Sequence, residues 1–298
     1  MEIRIALARA IEKLQNAKIK NPRIDAEILL SHILKKDKVF LFAYPEKKLT
    51  KIQWEKFNDL LVRRIKSEPI AYLIGYKYFY GNKFLVNRNT LIPRPETEIM
   101  IEEIMNSKFQ FKNYLLFDVG AGSGCIIISL AKKLNSARPN LSFEFYGLDI
   151  SQEALDVAKK NAKLNKVNKK INFLRGNLLE PILKNKKINL KNKNLIITAN
   201  LPYVCKNWKS NRSPDALGLK FEPKIALFAK ENGLEFYKSL FRQINKIRKM
   251  CASCLILCEI DHCQNTKIKK LTKQELPKAK IEIKKDLAGL DRLAVIKN

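Results

Sequence analysis

The chain has 298 residues, 46% of them apolar, enough to bury a substantial core and to exclude disorder of the whole. That length favours two domains over one, and no apolar run approaches the roughly 20 residues of a bilayer-spanning helix. A net charge of +29 suggests nucleic acid, but 45 of the 58 basic residues are Lys, spread along the chain rather than interleaved with aromatics.

Residues 1–75 are expected to form a small helical bundle. Ile3, Leu7, Ala10, Ile11 and Leu14 recur at helical spacing, and after Asn21-Pro22 the pattern resumes at Ile24, Ile28, Leu29 and Ile33. Thr50 can cap a third segment whose apolar face is Trp54, Phe57, Leu61 and Ile65. Glu68-Pro69 ends it, because a residue before proline avoids the helical region. Residues 76–105 read as a linker. Aromatic and polar residues alternate from Tyr76 to Phe84, and Gly81-Asn82 predicts the turn of a β-hairpin. A rigid stretch follows, Leu91-Ile92-Pro93-Arg94-Pro95-Glu96-Thr97-Glu98, in which Pro95 or Thr97 opens a helix.

From 106 to 298 strands and helices alternate. Strands are predicted at Tyr114–Val119, Phe143–Asp149, Ile171–Leu174, Leu195–Thr198, Leu255–Glu259, Ile281–Ile283 and Leu293–Ile296. Helices are predicted at Ser151–Asn165, along Leu234, Tyr237, Phe241, Ile244 and Ile247, and near Thr266–Gln274. Such alternation implies an α/β doubly wound sheet covered on both faces. Cys251, Cys254, Cys258 and Cys263 have a spacing that suggests a metal. Packing is the better reading, since Cys254 and Cys258 lie too far apart along one strand to be joint ligands. No metal is expected.

Chemistry concentrates at strand ends. Gly120-Ala121-Gly122-Ser123-Gly124 follows Asp118-Val119 directly and opens a helix. Glycines there permit positive φ and let a nucleoside-like ligand approach the backbone. The G-x-G-x-G spacing differs from the dinucleotide G-x-G-x-x-G, so the ligand need not carry a phosphate. Asp149, ending the next strand, can accept both ribose hydroxyls, or it can serve the start of the following helix, where Ser151 already offers a cap. Asn177 ends the third strand and could bond an adenine edge, with Leu178 packing on the ring.

The fourth strand runs into Asn200-Leu201-Pro202-Tyr203. An amide nitrogen is a poor nucleophile because its lone pair is delocalised. The Asn200 side-chain oxygen and the Leu201 carbonyl can accept both of its N–H bonds and aim the lone pair at a sulfonium methyl. The same acceptors stabilise positive charge developing on nitrogen, and Tyr203 would pack on the acceptor's planar group. Together the two motifs imply S-adenosylmethionine-dependent methylation of nitrogen.

Several blocks, in order, extend that reading. They are Glu68-Pro69-Ile70-Ala71-Tyr72-Leu73-Ile74-Gly75 with Phe79-Tyr80-Gly81, the Leu91–Glu98 segment, and Glu222-Pro223 with Ala226-Leu227 and Gly233-Leu234. Cys258-Glu259-Ile260 with Gln264, and Asp286-Leu287-Ala288-Gly289 with Asp291-Arg292, complete the set. The chain resembles the PrmC/HemK family of protein-(glutamine-N5) methyltransferases over nearly its whole length. The resemblance implies a helical substrate-recognition domain, a hairpin linker and a Rossmann-like seven-stranded methyltransferase domain. It implies S-adenosylmethionine held by Gly120 to Gly124, Asp149, Asn177, Leu178 and Asn200. It implies catalysis at Asn200, Leu201, Pro202 and Tyr203, with Arg94 and Glu96 near the substrate cleft. The substrate would be the glutamine of the Gly-Gly-Gln loop of peptide-chain release factors. Leu201 stands where that family usually has proline; Ala229-Lys230 replace a glycine pair and Asn232 an acid.

The Leu201 variant also resembles the tetrapeptide of ribosomal RNA adenine-N6 methyltransferases, the alternative reading. Those enzymes carry their helical domain C-terminally, and they lack the Pro93-Arg94-Pro95 segment. An A/T-rich genome would by itself produce a Lys-rich, basic composition. A cytoplasmic monomer is therefore expected, acting on release factors, with no membrane and no stable nucleic-acid partner.

Overall fold

Five helices occupy the start of the chain in the computed structural model, which describes residues 1–108, 112–203, 217–230 and 233–297. They are α1 (Ile3–Asn16), α2 (Pro22–Leu34), α3 (Lys38–Ala43), α4 (Lys51–Ile65) and α5 (Ile70–Ile74). Apolar residues recurring every three or four positions put Ile3, Ala6, Ala10 and Leu14 of α1 inside, against Leu29, Leu30, Phe57 and Leu61. Thr50 starts α4 with a capping box: its hydroxyl accepts the Gln53 N–H at 3.2 Å, and the Gln53 side-chain oxygen accepts the Thr50 N–H at 2.9 Å. The end of α4 is held by charge. Arg64 donates to Asp25 at 2.8 Å, and Arg63 grips the buried Glu68 carboxylate with bonds of 2.9 and 2.8 Å. The short α3 and α5 were not foreseen in the sequence.

The chain divides into two compact units. The first holds Met1–Tyr76 with 217–221, and the second holds the remaining described residues from Lys77 onward. Strands β1 (Tyr76–Phe79) and β2 (Asn82–Leu85) form the hairpin. Its turn is Tyr80-Gly81 rather than Gly81-Asn82, with φ of +47° and +70°, the left-handed pair that suits a two-residue loop.

The second unit continues with α6 (Glu98–Asn106), β3 (Asn113–Val119), α7 (Cys125–Ala137), β4 (Ser142–Asp149), α8 (Gln152–Leu164) and β5 (Ile171–Arg175). It ends with α9 (Glu180–Lys184), β6 (Asn194–Ala199), α10 (Glu235–Ile247), β7 (Ser253–Glu259), α11 (Asn265–Glu275), β8 (Lys280–Lys285) and β9 (Asp291–Lys297). All seven predicted strands form one sheet, in the order β5-β4-β3-β6-β7-β9-β8. The first five run parallel, and β6 is buried along its whole length, as expected of a strand covered on both faces. The last two strands are antiparallel. The connection between them is too short for a crossover, and Asp286 closes it by accepting the Ala288 and Leu290 N–H groups at 3.0 Å. Strand order reverses between β3 and β6, so their carboxyl ends flank the crevice where open α/β sheets bind ligands. Among the described residues, no helix is long and apolar enough to cross a membrane.

Candidate active site

The glycine loop leaves β3 and lies against the end of β4. Gly120 and Ala121 both donate to the Leu148 carbonyl at 2.8 Å. Gly120, Gly122 and Gly124 have φ of +77°, +54° and +78°. At Gly124 a Cβ would lie 2.9 Å from Ile128 and 3.1 Å from Ala158, so this glycine serves close packing of α7 on α8. Gly120 and Gly122 instead line a cavity of about 180 Å³. Beneath the loop Asp118 is fully buried, accepting from the Thr198 hydroxyl at 2.8 Å and the Ile127 N–H at 3.3 Å. Burial pushes its carboxyl up to about 7, against the pull of those two donors.

Asp149 lines the same cavity. Its carboxylate accepts the Gly122 N–H at 2.8 Å and the Ser151 N–H at 2.9 Å, while the cap of α8 is the Ser151 hydroxyl, which accepts from Ala154. Burial raises the Asp149 carboxyl, and the backbone donors oppose it. Asn177 and Leu178 complete this side; Leu178 is buried at φ +54°, an uncommon conformation for a branched side chain. Arg94 and Asp149 are the charged residues on the cavity lining among the described residues, and Arg94 is already paired with Glu222. Among the described residues that lining offers a carboxylate and apolar walls, a set that suits a nucleoside.

At the end of β6, Asn200, Leu201 and Pro202 line the cavity. The Asn200 NH2 donates to Glu259 Oε2 at 3.0 Å and Thr97 Oγ1 at 3.2 Å, while its amide oxygen has no bond among the described residues. Leu201 is buried; a Cβ on Gly120 would lie 3.0 Å from its methyl, and its N–H donates to the Tyr237 hydroxyl at 3.4 Å. A proline could not make that bond. Tyr203 does not line the cavity: its hydroxyl donates to Glu259 Oε1 at 3.0 Å, and its carbonyl accepts from Gln264 at 3.4 Å.

The structure therefore brings Gly120, Ala121, Gly122, Ser123, Asp149, Asn177, Leu178, Asn200, Leu201, Pro202 and Arg94 to one cavity. Glu96 is exposed and off the lining, and Gly124 and Tyr203 lie behind it. Ala229 is buried and Lys230 exposed, whereas Asn232 lies outside the described residues. Glu222 binds both the Arg94 guanidinium and the Ile92 N–H, the latter at 3.0 Å, which fixes the Pro93-Arg94-Pro95 segment along the cavity. Sequence reasoning gave Thr97 only the opening of a helix, Tyr237 a place on a helix face and Glu259 the end of a strand, and none of them a part in the site. The signal for Glu259 was a carboxylate ending an otherwise apolar strand.

Comparison with known proteins bears on the fold and the family. A family model described as a methyltransferase domain matches residues 110–282, and one described as the PrmC N-terminal domain matches residues 6–75. The hMettl16 catalytic domain in complex with MAT2A 3'UTR hairpin 1 is 15% identical with a TM-score of 0.54, covering 86% of this chain and 83% of that one. At that identity the likeness carries the fold alone. The protein is thus a methyltransferase. A release factor glutamine methyltransferase of Mycoplasma mycoides subsp. mycoides is 36% identical over 97% of both chains, and one of Bacillus cereus is 33% identical over 90% of this chain and 89% of that one. A bifunctional methyltransferase of Rickettsia bellii is 34% identical over 87% of this chain, which spans about half, 48%, of that longer protein. The chain belongs to the release factor glutamine methyltransferase family.

Proposed function

We propose that this protein uses S-adenosylmethionine to methylate the side-chain amide nitrogen (N5) of the glutamine in the Gly-Gly-Gln loop of peptide-chain release factors, and so supports translation termination. The observation that carries the reading is the Asn200 amide, whose NH2 end is engaged behind the cavity while the residue lines it. Its oxygen, with the Leu201 carbonyl, can accept the two N–H bonds of a substrate amide. An acceptor pair of that kind orients the nitrogen and stabilises the positive charge that grows on it. No base is needed before transfer, because the proton can leave afterwards.

The cofactor would supply an electrophilic methyl group. Gly120 to Gly124, Asp149, Asn177 and Leu178 would hold it: the carboxylate suits a ribose diol, and the apolar wall at Leu178 suits adenine. Arg94 would lie beside the substrate and Glu96 at the outer rim. Residues 1–75 would recognise the release factor, 76–105 would link, and 106–298 would carry the chemistry. We take the working form to be a cytoplasmic monomer. The relatives named release factor glutamine methyltransferase support the substrate assignment.

The test is transfer of labelled methyl from S-adenosylmethionine to a recombinant release factor, to its Gln→Ala loop variant, and to small-subunit RNA. Label on the factor that disappears in the loop variant is the expected result. Label on RNA alone would transfer the function to the adenine-N6 reading.

A further inference from the structure

Thr97 stands at the start of α6, where a threonine hydroxyl ordinarily caps a helix, yet it makes no capping bond. Its hydroxyl instead donates to Glu259 Oε2 at 2.6 Å. The same carboxylate oxygen accepts from the Asn200 NH2 at 3.0 Å, and the other accepts from the Tyr203 hydroxyl at 3.0 Å. Glu259 is only 2% exposed and is not on the cavity lining, so it reaches the cavity through Asn200.

The two ends of an asparagine amide are nearly equal in size, so hydrogen bonds alone choose which end faces a ligand. An ionised carboxylate only accepts. Thr97 spends its hydrogen on Glu259 and so offers Asn200 lone pairs. Turning the amide over would press its oxygen against both acceptors, leaving a buried repulsion in place of two bonds. We propose that Glu259, relayed by Thr97, is the positioning residue that locks Asn200 with its amide oxygen toward the substrate nitrogen. This inference rests on the function proposed above.

The lock holds only while Glu259 is ionised. Burial raises its carboxyl, while the Thr97 and Tyr203 hydroxyls and Arg292 hold it down. Among the described residues its titratable surroundings also include Glu96 on the segment before α6, Cys125 at the start of α7, Tyr237 on α10, which donates to the Glu259 backbone carbonyl, and Cys258 and Asp261 beside Glu259. A protonated Glu259 would become a donor and admit the flipped amide. Turnover should therefore fall as pH drops through the raised pKa of Glu259, with a smaller effect on cofactor affinity.

Glu259→Gln, Asn200→Asp and the double variant test this. Glu259→Gln should lower kcat at least about tenfold, with a KM and cofactor affinity close to wild type, and should lose the acid limb. Asn200→Asp sets two carboxylates together and should be at least as impaired. In the double variant the new amide at 259 can donate to the new carboxylate at 200, so activity should recover above that of Asn200→Asp. The Asn200 side-chain NH2 should also exchange with solvent faster in Glu259→Gln than in wild type, a readout that needs no substrate. Glu259→Gln at wild-type kcat, a double variant no better than Asn200→Asp, or unchanged NH2 exchange would each overturn the lock. Absence of wild-type transfer to the release factor would instead overturn the substrate reading, and the exchange measurement would still judge Glu259.

Discussion

Two buried residues next to the cavity carry charge or conformational demands that simple variants expose. Asp118, raised to about 7 from an ordinary value of 3.8, keeps its proton in the folded protein over a range where the unfolded chain has lost it. The folded state then binds more protons, so Asp118 makes stability fall as pH rises from about 4 to 7, by roughly 4 kcal/mol taken alone. Urea unfolding of Asp118→Asn across that range should lack this component; a slope equal to wild type would show that Asp118 is ionised throughout. Gly233 has φ of +83°, and a Cβ there would overlap the Tyr203 carbonyl oxygen and the Gln264 amide. Gly233→Ala must shift the end of the Asn200–Tyr203 segment, which we expect to lower methyl transfer at least about tenfold while the protein stays folded. Transfer at wild-type rate would mean that the segment tolerates the displacement. Neither demand is visible from residue identity: Asp118 reads as the lead-in to a loop motif and Gly233 as one residue of a family-resembling block, until a neighbour distant in the chain is placed against each.

At the scale of elements, local signals and packing agree where the chain needs no distant partner. Thr50 and Gln53 form their capping box within one turn, so the start of α4 was readable from the Thr-x-x-Gln spacing. Thr50→Ala should cost about 1 kcal/mol of stability by chemical denaturation, with no effect on cofactor affinity, since the cap lies outside the cavity. A loss below a few tenths would mean that solvent satisfies the freed N–H equally well. The contrast is Thr97, a similar residue at a similar position whose hydroxyl goes to β7 instead of its own helix. Asn161 is a second contrast. It sits in the small-residue face of α8, fully buried, donating to the Leu85 and Ser123 carbonyls at 2.9 and 2.8 Å. That joins the hairpin, α8 and the glycine loop through one side chain, and helical periodicity gives no hint of it.

For the whole molecule, every described residue lining the cavity belongs to the second unit. A chain beginning at Lys77 should bind the cofactor with an affinity within about threefold of the full protein, by calorimetry. Its KM for the release factor should rise if residues 1–75 recognise that substrate. Loss of cofactor binding would tie the first unit to the integrity of the cavity. The net charge of +29 adds long-range attraction to acidic partners, and its share in any encounter is measurable as a salt dependence of KM.

Periodicity and turn chemistry are local properties, so the sequence by itself determined the helical start, the seven strands, the hairpin and the position of both chemistry-bearing loops. Side-chain pairing across the sheet depends on which distant segments meet. Only the tertiary structure decided that Thr97, Asn200, Tyr203 and Glu259 share one hydrogen-bond cluster, and that Glu222 holds Arg94 along the cavity. The antiparallel return of β9 onto β7 is of the same kind, set by a short connection and by which strand edge remained open to pair.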